Sequence, residues 1–256
     1  MLEINNLSKH FGGLAAVANL DLNVKGGEIF GIIGPNGAGK STILNMIDGY
    51  LRPTSGKVIF KEEDVTSCAP HERARRGIAR VFQSNILFSD IPAMTNVRIG
   101  CYLHSGIRFW ASFLGIKKRI DRQEMLLYEK AEEILKFVGL YEEREKEAAS
   151  LAHASQRRLC LAIALAVDPS LLLLDEPLAG MTAEEVASML IVVRGLREKK
   201  GITFIIVEHN MKAIMRLCDR IAVINYGKKI AEGPPTEISK NPEVIEAYLG
   251  AAEHAI

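Results

Sequence analysis

The chain has 256 residues, with 32 Lys and Arg against 31 Asp and Glu; a formal charge of +1 excludes a protein that works by spreading a basic surface over nucleic acid or acidic lipid. Hydrophobic residues make up 48% and charged residues 25%, which suits a globular chain with a sizeable core and excludes disordered and collagen-like classes. No run approaches the roughly 18 to 20 apolar residues of a membrane span; the stretch 159–167 comes closest and stops at Asp168. The opening residues are charged and polar from Glu3 onward and lack a secretory pattern, so a cytosolic protein is expected. Cys68, Cys101, Cys160 and Cys218 lie far apart, which points to reduced, partly buried thiols and not to a disulfide framework or a zinc site.

In chain order, residues 2–7, 20–24 and 57–60 read as antiparallel strands separated by Gly-rich turns at Gly12-Gly13 and Gly26-Gly27. Residues 28–33, 77–82, 171–175, 202–207 and 221–225 are short, mostly apolar strands alternating with helical patterns, the signature of a parallel sheet covered on both faces. Between residues 89 and 150 strand signals vanish. There Ile120, Leu127, Ala131, Ile134, Leu135 and Val138 recur at helical spacing on a charged background, which predicts an inserted helical lobe. A hairpin is expected at Asn225-Tyr226-Gly227, with short helices starting at Pro234-Pro235 and at Pro242.

Directly after the strand ending at Ile33 comes Gly34-Pro35-Asn36-Gly37-Ala38-Gly39-Lys40-Ser41-Thr42, followed by a helical stretch. This is G-x4-G-K-[ST] in its required strand-loop-helix setting. Glycines permit a tight turn whose N–H groups converge on phosphate oxygens, and the start of the helix adds to that field. Lys40 is placed to bridge β- and γ-phosphates, Ser41 to offer its hydroxyl to Mg2+, and Thr42 to lie near the α-phosphate. Such a loop alone does not separate kinases, GTPases, helicases and motor ATPases. The apolar run 171–174 ends in Asp175-Glu176, the layout in which the first carboxylate holds the Mg2+ shell, through water, and the second acts as base toward an attacking water.

These motifs, in this order, resemble the ATP-binding subunit of ABC transporters over essentially the whole chain. The resemblance implies a RecA-like P-loop NTPase core, an α/β parallel sheet, with an N-terminal antiparallel β subdomain and an inserted helical subdomain. On it the core takes residues 1–88 and 151–250, the helical lobe 89–150 and a tail 251–256. It also implies ATP and Mg2+, with ATP hydrolysis by Glu176 and His209, and places Phe11 on the adenine. It implies that Gln83 contacts Mg2+ and senses the membrane partner. Its Leu178-Ala179-Gly180-Met181-Thr182 looks like the family's dimer-contact loop, with Thr182 where Asp or Asn is usual. GGLAAV after Phe11, GIARVFQ, LLLLDEPLAGM, VEHNM and the closing INYGKKIAEG and NPEVIEAYLG look like the branched-chain amino acid uptake type. Its implied partners are a homologous ATPase subunit, two integral membrane permease subunits on whose cytoplasmic face the chain would sit, and, indirectly, an extracytoplasmic solute-binding protein. Phe109, Trp110 and Phe113 offer either an apolar contact for a membrane subunit or packing within the lobe.

One segment departs from the pattern. The family's signature falls on Leu151-Ala152-His153-Ala154-Ser155-Gln156, where Ala152 lacks the usual serine hydroxyl and Ala154 stands for a glycine. In the family that segment grips the γ-phosphate of ATP held by the opposite subunit. Losing one hydrogen bond to a charged oxygen weakens closure by roughly 1.5 to 3 kcal/mol, and Ser155 substitutes only if the register shifts. A heterodimer with a partner of intact signature, in which this chain's own phosphate loop completes the competent site, is therefore favoured over a homodimer, in which both sites would suffer.

Overall fold

The computed structural model describes residues 1–84, 86–102 and 117–253. In chain order the strands are β1 (Leu2–Phe11), β2 (Leu14–Val24), β3 (Ile29–Ile33), β4 (Ser55–Phe60), β5 (Glu63–Asp64), β6 (Ile78–Val81), β7 (Leu171–Asp175), β8 (Thr203–Val207), β9 (Arg220–Asn225) and β10 (Lys228–Gly233). One sheet is antiparallel in the order β2-β1-β4-β5, and the other has the order β10-β9-β3-β8-β7-β6. Within the second, β9, β3, β8, β7 and β6 run parallel, while β10 closes one edge antiparallel. All the core strands expected from the sequence lie in this sheet, and β10 is the return of the expected hairpin.

β1 and β2 run further than the apolar pattern suggests, meeting across the turn at Gly12-Gly13. Their pairing shifts register between Ile4 and Leu7 and again between Leu7 and Lys9. Each such irregularity resets which side chains face inward, so alternation breaks down where pairing continues.

The helices are α1 (Lys40–Ile47), α2 (Pro70–Arg76), α3 (Ala93–Tyr102), α4 (Lys117–Val138), α5 (His153–Leu165), α6 (Ala183–Lys200), α7 (Met211–Leu217), α8 (Pro235–Ile238) and α9 (Pro242–Glu253). The period-2 alternation of the parallel strands sends successive residues to opposite faces. Phe30, Ile32, Leu171, Leu173, Ile205 and Val207 pack toward α1 and the antiparallel sheet. Ile29, Ile33, Leu172, Leu174, Phe204 and Ile206 pack in the other cluster, which takes in α3 to α7. The most apolar stretch, 159–167, is thus core helix: α5 is buried through Leu159, Leu161 and Leu165 against Ala131, Ile134 and Leu135 of α4. Among the described residues no strand lies between β6 and β7, and no helix is long and apolar enough to cross a membrane. Phe109, Trp110 and Phe113 lie outside the described residues. None of the four cysteines is in a disulfide, and Cys101, Cys160 and Cys218 are buried.

The end of α1 depends on one side chain the sequence did not flag. A helix leaves its last carbonyls without partners of its own, and Arg73 of α2, only 1% exposed, supplies them. Its Nη1 donates to Met46 O and Ile47 O at 2.6 Å each, Nη2 to Thr66 O at 3.0 Å and Nε to Cys68 O at 3.1 Å. We expect Arg73→Met to lower the unfolding free energy by about 3 kcal/mol, because buried carbonyls lose charge-assisted donors. Urea unfolding at pH 7 checks this, and a loss below about 1 kcal/mol contradicts it.

Candidate nucleotide site

β8 pairs with β3 on one side, Val207 opposite Ile32, and with β7 on the other, Val207 opposite Asp175. Three loops therefore leave the carboxyl edge of the sheet side by side, where ligands of open α/β sheets bind. They are the Gly-rich loop after β3, Asp175-Glu176-Pro177 at the end of β7, and Glu208-His209-Asn210 after β8.

Glycine is required at two points of the first loop. Gly34 has φ +155°, and a Cβ there would fall 2.0 Å from Ile224 O. Gly39 has φ +102°, and its Cβ would fall 2.5 Å from Ala16 O. The loop is thereby pressed onto the backbones of β9 and β2. Gly227 N–H donates to Ala38 O at 3.0 Å and ties it to the β9–β10 turn. Gly39 caps α1 without a side chain, so the first N–H groups of that helix have no partner from a cap. Asn36 to Thr42, Leu14 to Ala16, Glu176, His209, Tyr226 and Gly227 enclose a cleft of about 340 Å³.

Lys40 folds back over the loop, its Nζ donating to Gly34 O and Pro35 O at 2.8 Å each. Burial pushes its ammonium below the usual lysine range, while the charges of Glu176 and Asp175 push it back up. Glu176 adopts φ +49°, uncommon for a residue with a Cβ, and its N–H is held by Val207 O at 2.9 Å. Its two oxygens are both engaged: Gln83 Nε2 donates to Oε2 at 2.7 Å, and His209 Nε2 lies 2.8 Å from Oε1. Gln83, Glu176 and His209, remote in sequence, therefore form one hydrogen-bonded row beside the phosphate loop. Asp175 is buried and bonded through Oδ2 to Arg80 Nη2 at 2.6 Å.

Other candidates stand apart from the cleft. Phe11 lies at the end of β1, half exposed, with Lys9 Nζ 5.3 Å from its ring centroid, and its hairpin neighbours Leu14 to Ala16 are what line the cleft. The segment 151–156 contributes nothing to the lining of that cleft. Ala152 precedes α5 as its N-cap and offers no side-chain cap. Ala154 lies inside α5 with ordinary helical backbone, so the alanine there is unstrained. Ser155 does not take over from the missing serine: its Oγ donates to Glu143 Oε1 at 2.9 Å. Gln156 Nε2 donates to Leu151 O at 3.2 Å and Ala148 O at 3.3 Å. His153 is exposed and its ring sits beside Gly180, where a Cβ would meet Cε1 at 3.1 Å. Thr182 caps α6 in a reciprocal arrangement with Glu185, whose Oε2 accepts from the Thr182 hydroxyl at 2.9 Å and N–H at 2.8 Å.

Sequence reasoning assigned no role in the site to Glu208, Arg80, Arg157 or Tyr226. Glu208 is 4% exposed; its Oε1 accepts from Leu178 N–H at 2.7 Å and its Oε2 from His209 N–H at 3.1 Å and Asn210 N–H at 3.4 Å. It brackets the loops that carry Glu176 and His209. Arg157 of α5 donates through Nη1 to Gln83 O. A charge inside an apolar run was the available signal for Arg80 and Glu208; nothing in the sequence marked Tyr226 beyond its turn.

The chain is similar to known proteins along its whole length. Residues 17–179 match the ABC transporter family model, and residues 228–254 match that of the branched-chain amino acid ATP-binding cassette transporter. It is 37% identical over 254 residues to the high-affinity branched-chain amino acid transport ATP-binding protein BraF of Pseudomonas aeruginosa, covering 98% of each chain. It is 36% identical over 256 residues to the corresponding protein LivG of Escherichia coli, again covering 98% of each. A solved ATP-binding cassette of an ABC transporter in its ADP conformation superposes with a TM-score of 0.84 at 30% identity, covering 98% of each chain.

Burial pushes the Glu208 carboxyl above its ordinary value of 4.5, the N–H groups of Leu178, Asn210 and His209 pull it part of the way back, and the Glu176 charge adds a smaller push. A carboxyl harder to ionise in the fold contributes stability that is full below the unfolded value and lost as pH rises through the folded one. The unfolding free energy of the wild type minus that of Glu208→Gln should therefore fall as pH rises from 4.5 and level off above the folded value. Urea unfolding of both proteins across that range checks the slope; a difference that is flat or rises with pH contradicts it.

Proposed function

We propose a function from this premise: the chain belongs to the ABC transporter family of ATP-binding subunits. It hydrolyses ATP to power a membrane importer of branched-chain, hydrophobic amino acids. The observation that carries the hydrolytic reading is the row Gln83–Glu176–His209 beside the phosphate loop. The solute class is supported by the match at residues 228–254 and by what BraF and LivG are named for.

Backbone N–H groups at the start of α1 and the Lys40 ammonium bind the phosphates, and water attacks the γ-phosphorus as the bond to the ADP oxygen breaks. The water's proton passes to Glu176 Oε1, which becomes available when His209 Nε2 turns from that oxygen to the γ-phosphate. Mg2+, when bound, offsets charge on the β- and γ-phosphates. The residues present fit it. Ser41 lines the cleft, Gln83 spends its amide nitrogen on Glu176 and keeps its oxygen, and Asp175 spends Oδ2 on Arg80 and keeps Oδ1. These are hard oxygen donors. Among the described residues no group of three or more His, Cys, Asp and Glu stands together as a metal site.

The subunit works as one of a pair. Its signature segment lies outside its own cleft, so it serves the ATP of a partner ATPase subunit, and a heterodimer is favoured because Ala152 brings no hydroxyl and Ser155 is committed to Glu143. Two permease subunits hold the pair on the cytoplasmic membrane face, and a solute-binding protein acts through them. Residues 1–88 and 151–250 are the nucleotide-binding core and 89–150 the helical subdomain, an arrangement supported by the packing of α3 and α4 on α5. The altered signature also favours a second reading, a switch that closes and seldom hydrolyses; near-zero wild-type turnover in the native assembly would support it.

Purification with the native membrane assembly tests the proposal. Leucine, isoleucine or valine with its binding protein should stimulate ATP hydrolysis, and Ala152→Ser should raise turnover of a homodimer about tenfold or more. A homodimer no faster as Ala152→Ser overturns the handicap assigned to the signature. Recovery with a lipid-export assembly overturns the amino-acid assignment.

A further inference from the structure

Asp175 ends β7 beside Glu176, which lines the cleft, and is bonded to a buried cation. Arg80 lies in β6 with 6% of its side chain exposed. Through Nη1 it donates to Asn45 Oδ1 at 2.7 Å and to Asp48 Oδ2; through Nη2 it donates to Asp175 Oδ2 at 2.6 Å. Asn45 lies in the last turn of α1 and Asp48 is its C-cap. One guanidinium thus joins the helix that begins at Lys40, the strand that runs on to Gln83, and the carboxylate that ends β7. The Phe82 ring centroid lies 4.8 Å from the guanidinium carbon, and Phe82 meets Tyr50 edge-on at 5.7 Å.

The geometry points to Arg80 as a positioning residue for Asp175: by taking Oδ2, it sets the orientation in which Oδ1 faces the magnesium shell, and Asp48 and Asn45 set Arg80 in turn. This rests on the reading of Asp175 as a metal partner. The chemistry favours arginine. A guanidinium is planar, permanently charged and presents diverging N–H groups, so it can hold two carboxylates on separate elements at fixed angles. A lysine ammonium reaches one of them as a point charge. Groups that hold a ligating carboxylate in place change metal affinity by about 10- to 100-fold when removed. Among the described residues, the Asp48 carboxylate accepts hydrogen bonds from Arg80 and from the nearby Tyr50 N–H, the latter at 2.9 Å.

The test is Mn2+ binding followed by electron paramagnetic resonance, on the full-length chain saturated with a non-hydrolysable ATP analogue, beside the analogue's affinity in EDTA. For Arg80→Gln we expect Mn2+ affinity to fall about tenfold or more while nucleotide affinity in EDTA stays within about twofold. Asp48→Asn should move metal affinity in the same direction by less. Arg80→Lys keeps the buried charge and should lie between wild type and Arg80→Gln, so the test stands on it where the glutamine variant does not fold. Mn2+ affinity within twofold of wild type in Arg80→Lys and Arg80→Gln overturns the proposal. So does an equal loss of nucleotide affinity in EDTA, which would make Arg80 a prop for the phosphate loop. Wild type that binds nucleotide and no Mn2+ overturns instead the reading of Asp175 beneath it, and the proposal with it.

Discussion

The site hangs on the pairing of β7 with β8 and its continuation past the end of the sheet. Asp175 is in register with Val207, and the next N–H, that of Glu176, still donates to Val207 O. To make that bond the chain turns through a left-handed conformation at Glu176, which aims its carboxylate across the mouth of β8 at His209. Glu208 closes the same junction from below, accepting N–H groups from both loops. Because β8 also pairs with β3, whatever fixes this junction fixes its distance from the phosphate loop.

Much of this was legible before any coordinates. The Gly-rich loop is a local motif whose geometry follows from its own residues: Gly34 and Gly39 stand where a Cβ would strike Ile224 O or Ala16 O. The apolar runs of β3, β7 and β8 identify strands buried on both faces. Contacts between distant segments were not legible. Gln83 reaches Glu176 because β6 and β7 are neighbours; Arg73 and Arg80 reach α1 from α2 and β6. No periodicity encodes such pairings, and the only trace they leave is a charged residue in an apolar or helical stretch. β1 and β2 were read too short for a related reason, since a bulged strand loses the alternation by which strands are recognised.

The signature segment separates two effects that the sequence leaves joined. Ala154 costs nothing in backbone strain, because it sits in ordinary helix. Ala152 does remove a donor, and Ser155 is already bonded to Glu143, three residues into α5. On the proposed function, what the altered segment would change is one hydrogen bond toward a partner's nucleotide, with the start of α5 still in place. Its own phosphate loop, Lys40 and the Gln83–Glu176–His209 row are intact. Such a division of strengths suits a pair of unlike subunits better than a pair of identical ones.

The central claim is that Glu176, held between Gln83 and His209, is the base for ATP hydrolysis. The most direct measurement is ATP turnover by Glu176→Gln in the native membrane assembly, with nucleotide binding measured alongside. The account predicts turnover from this chain's site lowered by about 100-fold or more with ATP bound as tightly as by wild type. Turnover from that site within about twofold of wild type would contradict it.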